Sequence, residues 1–315
     1  MAQSYLHLPV MCAEILDGLA PALADPDPIV VDATLGLAGH AGAILDAFPT
    51  ARLVGVDRDP QALQLATERL STFGRRVETF EGTYDQLDQA LDGRRAAAVV
   101  FDLGLSSLQI DAPERGFAYA HDAPLTMRMD ADDTQVTAAD VLNTYPVEDL
   151  ARIFRVWGDE THAGRIARAI VAAREREPFT RSARLVDVVR EAIPASEHRS
   201  GHPAKRVFQA LRMEVNEERA LLATALPKAL DALRLGGRVA VLSYHSGEDR
   251  LVKQVFAEAA SDHAPVGLPV VPVGHLAQFR LVTRGALKPT QAEIVSNPRS
   301  QSARLRVIER IRENP

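Results

Sequence analysis

The sequence predicts an α/β protein with a doubly wound parallel sheet that is interrupted by a helical segment. Short apolar runs alternate with helical patterns through about the first hundred residues, which is the rhythm of a parallel sheet. From 111 to 209 no strand pattern is convincing, and apolar strands then return after a Gly-Gly turn. We therefore expect a sheet domain in two parts, 1–110 and 210–315, around an inserted helical domain at 111–209.

The strands of the first part are short and bounded by turn residues. We expect them at 29–32, 52–57, 77–80 and 96–102. The last of these is apolar almost throughout, as in a strand that is covered on both faces. Helices are expected near 40–48 and from Pro60 to about Leu70, because proline is favoured in the first turn of a helix.

The inserted segment consists of helical patterns punctuated by prolines. His162–Arg174 places its alanine, isoleucine and valine side chains on one helical face and its arginines elsewhere. A long helix is expected at about 204–234. Strands at 238–244, 279–283 and 304–309 would then complete the sheet.

Composition excludes several classes of protein. No apolar run approaches the roughly 20 residues that span a bilayer, and no signal-peptide pattern is present, so we expect a cytoplasmic protein. A single cysteine, Cys12, excludes an intrachain disulfide and a thiolate metal cage, and we expect no metal. The net charge of −6 argues against nucleic-acid binding over the whole surface. Residues 280–312 nevertheless hold eight Lys/Arg and two Asp/Glu, which leaves room for a local phosphate-binding face.

The turn after the first strand predicts a nucleotide cofactor. It begins at Asp32 and carries Gly36, Gly39 and Gly42, a spacing that differs from the Gly-x-Gly-x-x-Gly of dinucleotide sites. A carboxylate beside this loop repels a phosphate but suits the ammonium and sulfonium groups of S-adenosylmethionine. The charge therefore favours the methyl donor over NAD, and an oxidoreductase becomes the weaker alternative.

Two more aspartates end predicted strands. Asp57 follows about 20 residues after the glycine turn, where a carboxylate can accept both hydroxyl protons of a ribose. Asp102 ends the fourth strand and is placed to face cofactor and substrate together. Each has a plainer alternative, in which the aspartate caps the helix or turn that follows it.

Longer and more particular motifs run along nearly the whole chain. They are HLPV (7–10), DATLGLAGH (32–40), GVDRDP (55–60), DLGLSS (102–107), ERGFAY (114–119), PLTMRMD (124–130), HPAKRVFQALR (202–212), YHSGEDR (244–250), KPT (288–290) and NPRSQSARLR (297–306). Together they resemble the bacterial small-subunit (16S) ribosomal RNA cytosine-N4 methyltransferase family.

The resemblance implies a class I (Rossmann-like) S-adenosylmethionine-dependent methyltransferase core with an inserted helical domain. The family's cofactor contacts fall on Ala38, Gly39, His40, Asp57, Tyr84, Asp102 and Gln109. The family usually has glycine at Ala38, phenylalanine at Tyr84 and proline at Leu108, and an apolar residue where Gly247 stands. None of these differences removes a charged group that the chemistry needs.

For the reaction, Asp102 is our candidate proton acceptor on the cytosine amine, and His245 is a second candidate base. The alternative for His245 is a side chain bonded to backbone at the start of a helix. The segment from Ser246 to Asp249 is expected to cap that helix, with Asp249 at its third position. Methylation at cytosine C5 would need a thiolate nucleophile. Cys12 lies far upstream and is expected to be buried and inert, so methylation of the amine remains.

The resemblance implies small-subunit ribosomal RNA as the partner, in the assembled particle and at the decoding centre. Candidate phosphate contacts are Arg115, Arg128, Lys205, Arg206, Arg250 and Arg304. Two alternatives stay open: a DNA amino-methyltransferase, which normally carries an Asp-Pro-Pro-Tyr motif where this chain has DLGL, and a non-catalytic ribosome assembly factor.

Overall fold

The computed structural model describes residues 9–106, 108–109, 113–130, 136–194, 202–262 and 272–313. The chain divides into two compact units. The sheet unit comprises Met1–Gly104 with Leu221–Pro315, and the inserted unit comprises Leu105–Ala220. The inserted unit therefore begins before the predicted limit of 111 and ends after the predicted limit of 209.

The sheet unit is built on a seven-stranded sheet with the order β3-β2-β1-β4-β5-β7-β6. Its strands are β1 (Ile29–Asp32), β2 (Arg52–Asp57), β3 (Val77–Glu81), β4 (Ala96–Asp102), β5 (Leu233–Ser243), β6 (Phe279–Leu281) and β7 (Arg304–Arg310). Strands β1 to β5 are parallel, and β7 runs antiparallel to both β5 and β6. The predicted doubly wound fold is confirmed, with the class I order of strands.

Strand β5 begins earlier than the sequence predicts. Leu233 already pairs with Ala96, and the register then shifts before Ala98 pairs with Arg238. Gly236 has a φ of 76° within this irregular stretch. The two glycines that predict a turn therefore form an irregularity inside the strand.

Helices flank the strands and make up most of the regular structure of the inserted unit. Among the described residues they are α1 (Cys12–Leu19), α2 (Gly39–Ala47), α3 (Pro60–Arg69), α4 (Leu87–Leu91), α5 (Ala138–Thr144), α6 (Val147–Val156), α7 (Ala163–Arg174), α8 (Ser182–Ala192), α9 (Lys205–Val215), α10 (Glu218–Ala232), α11 (Ser246–Ala259) and α12 (Gln291–Ser296). In this described part of the chain no helix is long and apolar enough to cross a membrane.

Successive residues of β4 are buried in two different hydrophobic clusters. Val99 and Phe101 pack in the cluster that includes Phe256 of α11, whereas Ala98 and Val100 pack in the cluster that includes Ile15 of α1. This alternation follows from the two-residue period of a strand. Apolar side chains fill both faces of the sheet along β4. The polar side chain of this strand therefore lies at its carboxyl end.

The predicted long helix at 204–234 is wrong, because the chain breaks it into α9 and α10. Glu217 adopts a left-handed φ of 50° between them. The Asn216 amide donates to the carbonyl of Met127 at 2.8 Å and accepts from the amide of Met129 at 2.9 Å. These tertiary bonds hold the break, although the local sequence has neither glycine nor proline there.

Candidate active site

Three neighbouring parallel strands each end in an aspartate. Asp32 ends β1, Asp57 ends β2 and Asp102 ends β4. The order β2-β1-β4 in the sheet places the three carboxylates along one edge. This is the edge where open α/β sheets bind their ligands.

The loop between β1 and α2 brings backbone amides to this edge. Gly36 has a φ of 50° and Ala38 a φ of 58°, so both adopt the left-handed conformation. The Gly36 amide donates to Oδ2 of Asp57 at 2.7 Å, and Ala38 is the residue at the N-terminus of α2. Glycine adopts such a φ more readily, so Ala38 keeps the loop conformation at a steric cost.

Asp57 links the loop to the start of α3 and does not cap that helix. Its Oδ1 accepts from the amide of Asp59 at 2.9 Å, while Asp59 itself caps α3 by accepting from Gln61 at 3.0 Å. Burial raises the pKa of Asp57 above its ordinary value, although the amides of Asp59 and Gly36 oppose that shift. The residue that caps α3 is therefore Asp59, and the capping alternative for Asp57 is wrong.

Asp32 is the most deeply buried of the three carboxylates, with 2% of its surface exposed. Burial raises its pKa from 3.8 to about 6, because the charged form loses solvation. The nearby imidazole of His40 and the amide of Thr34, which donates at 3.2 Å, partly offset this effect.

Asp102 is held by groups from three elements. Its backbone amide donates to the hydroxyl of Thr34 at 2.6 Å. The phenol of Tyr244 donates to Oδ1 at 2.7 Å, and Nε2 of His40 lies 3.4 Å from Oδ2. The carboxylate is still 31% exposed, so it combines fixed partners with access from solvent.

His40 carries the positive charge of this cluster. Burial opposes that charge, but the contacts with Asp102 and with the Cys12 thiol prevail and raise the pKa of His40 to about 10. These contacts favour the protonated imidazole, which faces the carboxylates of Asp102 and Asp32.

The position of Cys12 corrects the expectation of a remote, buried thiol. Cys12 is half-buried and contacts His40, because α1 packs beside α2. It lies three residues before the buried Ile15 of the same helix, so it shares that inward face. Distance along the chain was a poor guide to distance in space.

The remaining predicted cofactor residues are Tyr84 and Gln109. Tyr84 stands edge-on to Phe101 of β4, with ring centroids 6.1 Å apart. Gln109 belongs to the inserted unit, where it is 6% exposed and its Oε1 accepts from the amide of Ser106 at 3.0 Å. Their cofactor roles stay predictions.

Comparison with known proteins shows to which protein family the chain belongs. Residues 4–311 match the MraW methylase family. The chain belongs to this family. The chain is 55% identical to the ribosomal RNA small subunit methyltransferase H of Streptomyces avermitilis, over 100% of this chain and 99% of that protein. The corresponding protein of Nocardioides sp. is 56% identical over 96% of each chain.

The family resemblance read from the sequence is confirmed, and the methylase uses S-adenosylmethionine as its methyl donor. The donor set at the strand ends fits that cofactor. Carboxylates attract an ammonium and a sulfonium and accept from ribose hydroxyls, whereas they would repel a pyrophosphate. The negative charge of Asp32 beside the loop therefore favours the same cofactor that the family uses.

His245 caps α11 of the methylase, which is the alternative expected for it. Its Nδ1 accepts from the amides of Gly247 and Glu248 at 3.2 and 3.3 Å, and its Nε2 lies 3.1 Å from Oε1 of Glu248. The expected cap formed by Ser246 to Asp249 is wrong, because Asp249 forms a fork with Arg306 instead. A catalytic role of His245 stays a prediction.

The six candidate RNA contacts divide between the two units. Lys205 and Arg206 are exposed in the first turn of α9, and Arg250 is exposed on α11. Arg115, Arg128 and Arg304 are half-buried. Over the described residues, no group of three or more His, Cys, Asp or Glu side chains is placed to hold a metal ion.

Sequence reasoning missed Tyr244 and Thr34, the two hydroxyls on Asp102. A signal for Tyr244 was present, since it stands at the end of the strand predicted at 238–244, and that strand pairs with β4. Side chains that follow adjacent parallel strands lie close together, so its meeting with Asp102 follows from the sheet order. The hydroxyl of Thr34 meets the backbone of Asp102 for the same reason.

Proposed function

We propose that this methylase transfers a methyl group to the exocyclic N4 amine of a cytosine in small-subunit ribosomal RNA. The names of its relatives support the RNA, and the observation that carries the chemistry is Asp102, a partly exposed carboxylate held on both oxygens at the end of β4. S-adenosylmethionine, when bound, would supply the methyl group: its S–CH3 bond would break, and the electron pair of that bond would stay on the sulfur of the S-adenosylhomocysteine that leaves.

The amine needs help because its lone pair is conjugated with the cytosine ring. Asp102 accepts a hydrogen bond from N4–H, which turns the nitrogen lone pair out of conjugation. As the new N–C bond forms, one N–H bond breaks; its electron pair stays on nitrogen and its proton passes to Asp102. The residue thus orients the nucleophile and then serves as general base.

The other strand ends hold the cofactor. Asp57 accepts from the ribose hydroxyls, and Asp32 provides negative charge for the methionine part. The backbone of the 36–40 loop and the ring of Tyr84 contact the remaining surface. We also assign Gln109 to the cofactor, as the family resemblance implies.

The inserted unit is proposed to recognise the RNA. Its exposed cations, Lys205 and Arg206, lie at the start of a helix, where the helix dipole stabilises a bound phosphate. Arg115, Arg128, Arg250 and Arg304 are further candidates. The base must be splayed out of its stack to reach Asp102. We propose the decoding centre of an assembled small subunit as the target, in the cytoplasm of a bacterium.

The test is transfer of a labelled methyl group to small subunits from cells that lack this enzyme, followed by nucleoside analysis. Wild type should form N4-methylcytidine, and Asp102→Asn should lower the rate by about 10²- to 10⁴-fold. Asp46→Asn, an exposed carboxylate on α2, is the matched control and should keep full activity. Wild type that binds S-adenosylmethionine but transfers nothing would favour the assembly-factor or DNA alternative.

A further inference from the structure

Tyr244 makes a contact that neither cofactor binding nor proton acceptance explains. Its phenol donates to Oδ1 of Asp102, while the imidazole of His40 approaches Oδ2. The two oxygens therefore have different partners, and these come from different elements. The last torsion of an aspartate side chain is soft, so a carboxylate without such partners rotates over a broad range. A hydrogen-bond donor on Oδ1 and an imidazole 3.4 Å from Oδ2 restrict that rotation.

Tyr244 is itself held at its backbone and at its ring. Its amide donates to Oε2 of Glu248 at 2.9 Å, and Glu248 is 7% exposed. Its ring lies against Gly104, where an added Cβ would stand 3.4 Å from the ring edge. Gly104 has a φ of 105°, which side chains rarely adopt. The φ therefore favours glycine at this turn, and the ring packs beside it at van der Waals distance.

We propose that Tyr244 is a positioning residue for methyl transfer, whose hydroxyl fixes the rotation of the Asp102 carboxylate so that its free lone pairs face the cytosine amine. This inference rests on the proposed function and deepens it. Tyr244 keeps its own proton throughout the reaction. The proton leaving N4 passes to Asp102, and Tyr244 remains a donor to that carboxyl group.

The surroundings keep the phenol in its protonated form. Burial, and then the charge and hydrogen bond of Asp102, raise the pKa of Tyr244 far above its ordinary value of 10. The titratable groups around the Tyr244–Asp102 pair are His40, Asp32, Glu248 and Glu293, with Cys12 beside His40. Most of these groups are acidic, so the Tyr244 phenol keeps its proton and donates it to Asp102 in a hydrogen bond.

Tyr244→Phe removes the hydroxyl and keeps the ring that packs on Gly104. We expect kcat for methylation of small subunits to fall about tenfold, with the Kd for S-adenosylmethionine within about twofold of wild type. The acidic limb of the pH–kcat profile should move to higher pH, because a carboxylate that loses a donor takes up a proton more easily. The matched control is Tyr145→Phe, which removes a phenol–carboxylate bond to Glu214 in the inserted unit and should change none of these.

A readout without cofactor or RNA separates positioning from general damage. Aspartate carboxyls labelled with ¹³C are titrated by NMR in the free protein, and the Asp102 signal is identified by its loss in Asp102→Asn. Tyr244→Phe should move the Asp102 midpoint to higher pH, and Tyr145→Phe should leave it unchanged. A structural role alone would lower the melting temperature without moving this midpoint.

The double variant Tyr244→Phe/Asp102→Asn completes the test. If Tyr244 acts through Asp102, adding Tyr244→Phe to Asp102→Asn lowers kcat by less than about twofold. Wild-type kcat and pH profile in Tyr244→Phe, or a full tenfold loss in the Asp102→Asn background, would overturn the inference and leave the proposed function intact. Absence of N4-methylcytidine with wild type would overturn the proposed function itself, and this inference with it.

Discussion

Buried charges are paired differently at the two sides of the sheet. At the ends of β1, β2 and β4, the carboxylates of Asp32, Asp57 and Asp102 gather near the imidazole of His40, and burial raises the pKa of the first two. Beside the antiparallel strand β7, Arg306 instead meets Asp249 through two nitrogens, at 2.8 and 3.1 Å. Negative charge is in excess where we propose that the cationic cofactor binds, and it is balanced where only the fold depends on it.

The largest effect should come from breaking a balanced pair. Arg306 and Asp249 have side chains 14% and 17% exposed, so Arg306→Met leaves a largely buried carboxylate without its fork. We expect the free energy of unfolding to fall by about 3 kcal/mol, measured by urea denaturation. Arg280→Met, which removes a 62% exposed partner of Glu309, should cost less than about 0.5 kcal/mol. Equal losses in both variants would show that burial does not decide the cost of breaking an ion pair at this side of the sheet.

At the cluster of aspartates, removing a negative charge should weaken the binding of S-adenosylmethionine without unfolding the protein. Asp57→Asn replaces a charged acceptor with a neutral one, and the Kd for S-adenosylmethionine should rise about 10- to 100-fold by isothermal titration calorimetry. Asp59→Asn, two residues on, is the control, because asparagine caps a helix as well as aspartate does. An unchanged Kd in Asp57→Asn would remove Asp57 from the cofactor site.

The remaining effect concerns stability in the absence of cofactor. The folded state favours protonated Asp32, whose pKa is raised from 3.8 to about 6 by burial, so ionising this group costs stability as the pH rises through that range. Asp32→Asn should therefore be more stable than wild type by about 3 kcal/mol at pH 8, and the difference should vanish below pH 4. Thermal unfolding across pH measures this, with Asp46→Asn as an exposed control. A variant less stable than wild type at pH 8 would show that Asp32 is held by partners and is not in excess.

Much of the sheet could be predicted because its strands are covered on both faces and therefore apolar. Strands β1, β2 and β4 begin and end where the sequence predicts. The start of β5 could not be predicted in this way, because Gly236 and Gly237 have the composition of a turn yet lie within a strand. The break between α9 and α10 could not be predicted either, since Asn216 is held there by carbonyl and amide groups from a distant loop.

The candidate site, like the fold, has features that could be predicted from the sequence and features that depend on tertiary contacts. Aspartates at the ends of adjacent strands follow from topology, and all three were predicted. The contact between Cys12 and His40 depends on how α1 packs beside α2, which no local pattern records. Tyr244 and Asp102 are 142 positions apart in the chain, and only the order of strands brings them together.

The insertion between β4 and β5 also sets the order in which the sheet can be assembled during translation. At synthesis rates of about 5–20 residues per second, residues 105–220 delay the appearance of β5 by on the order of ten seconds after β4. Throughout that interval the apolar edge of β4 that later pairs with β5 has no partner strand, and such edges recruit other chains. A nascent chain stalled within the insertion therefore exposes an unpaired strand edge that the complete protein covers.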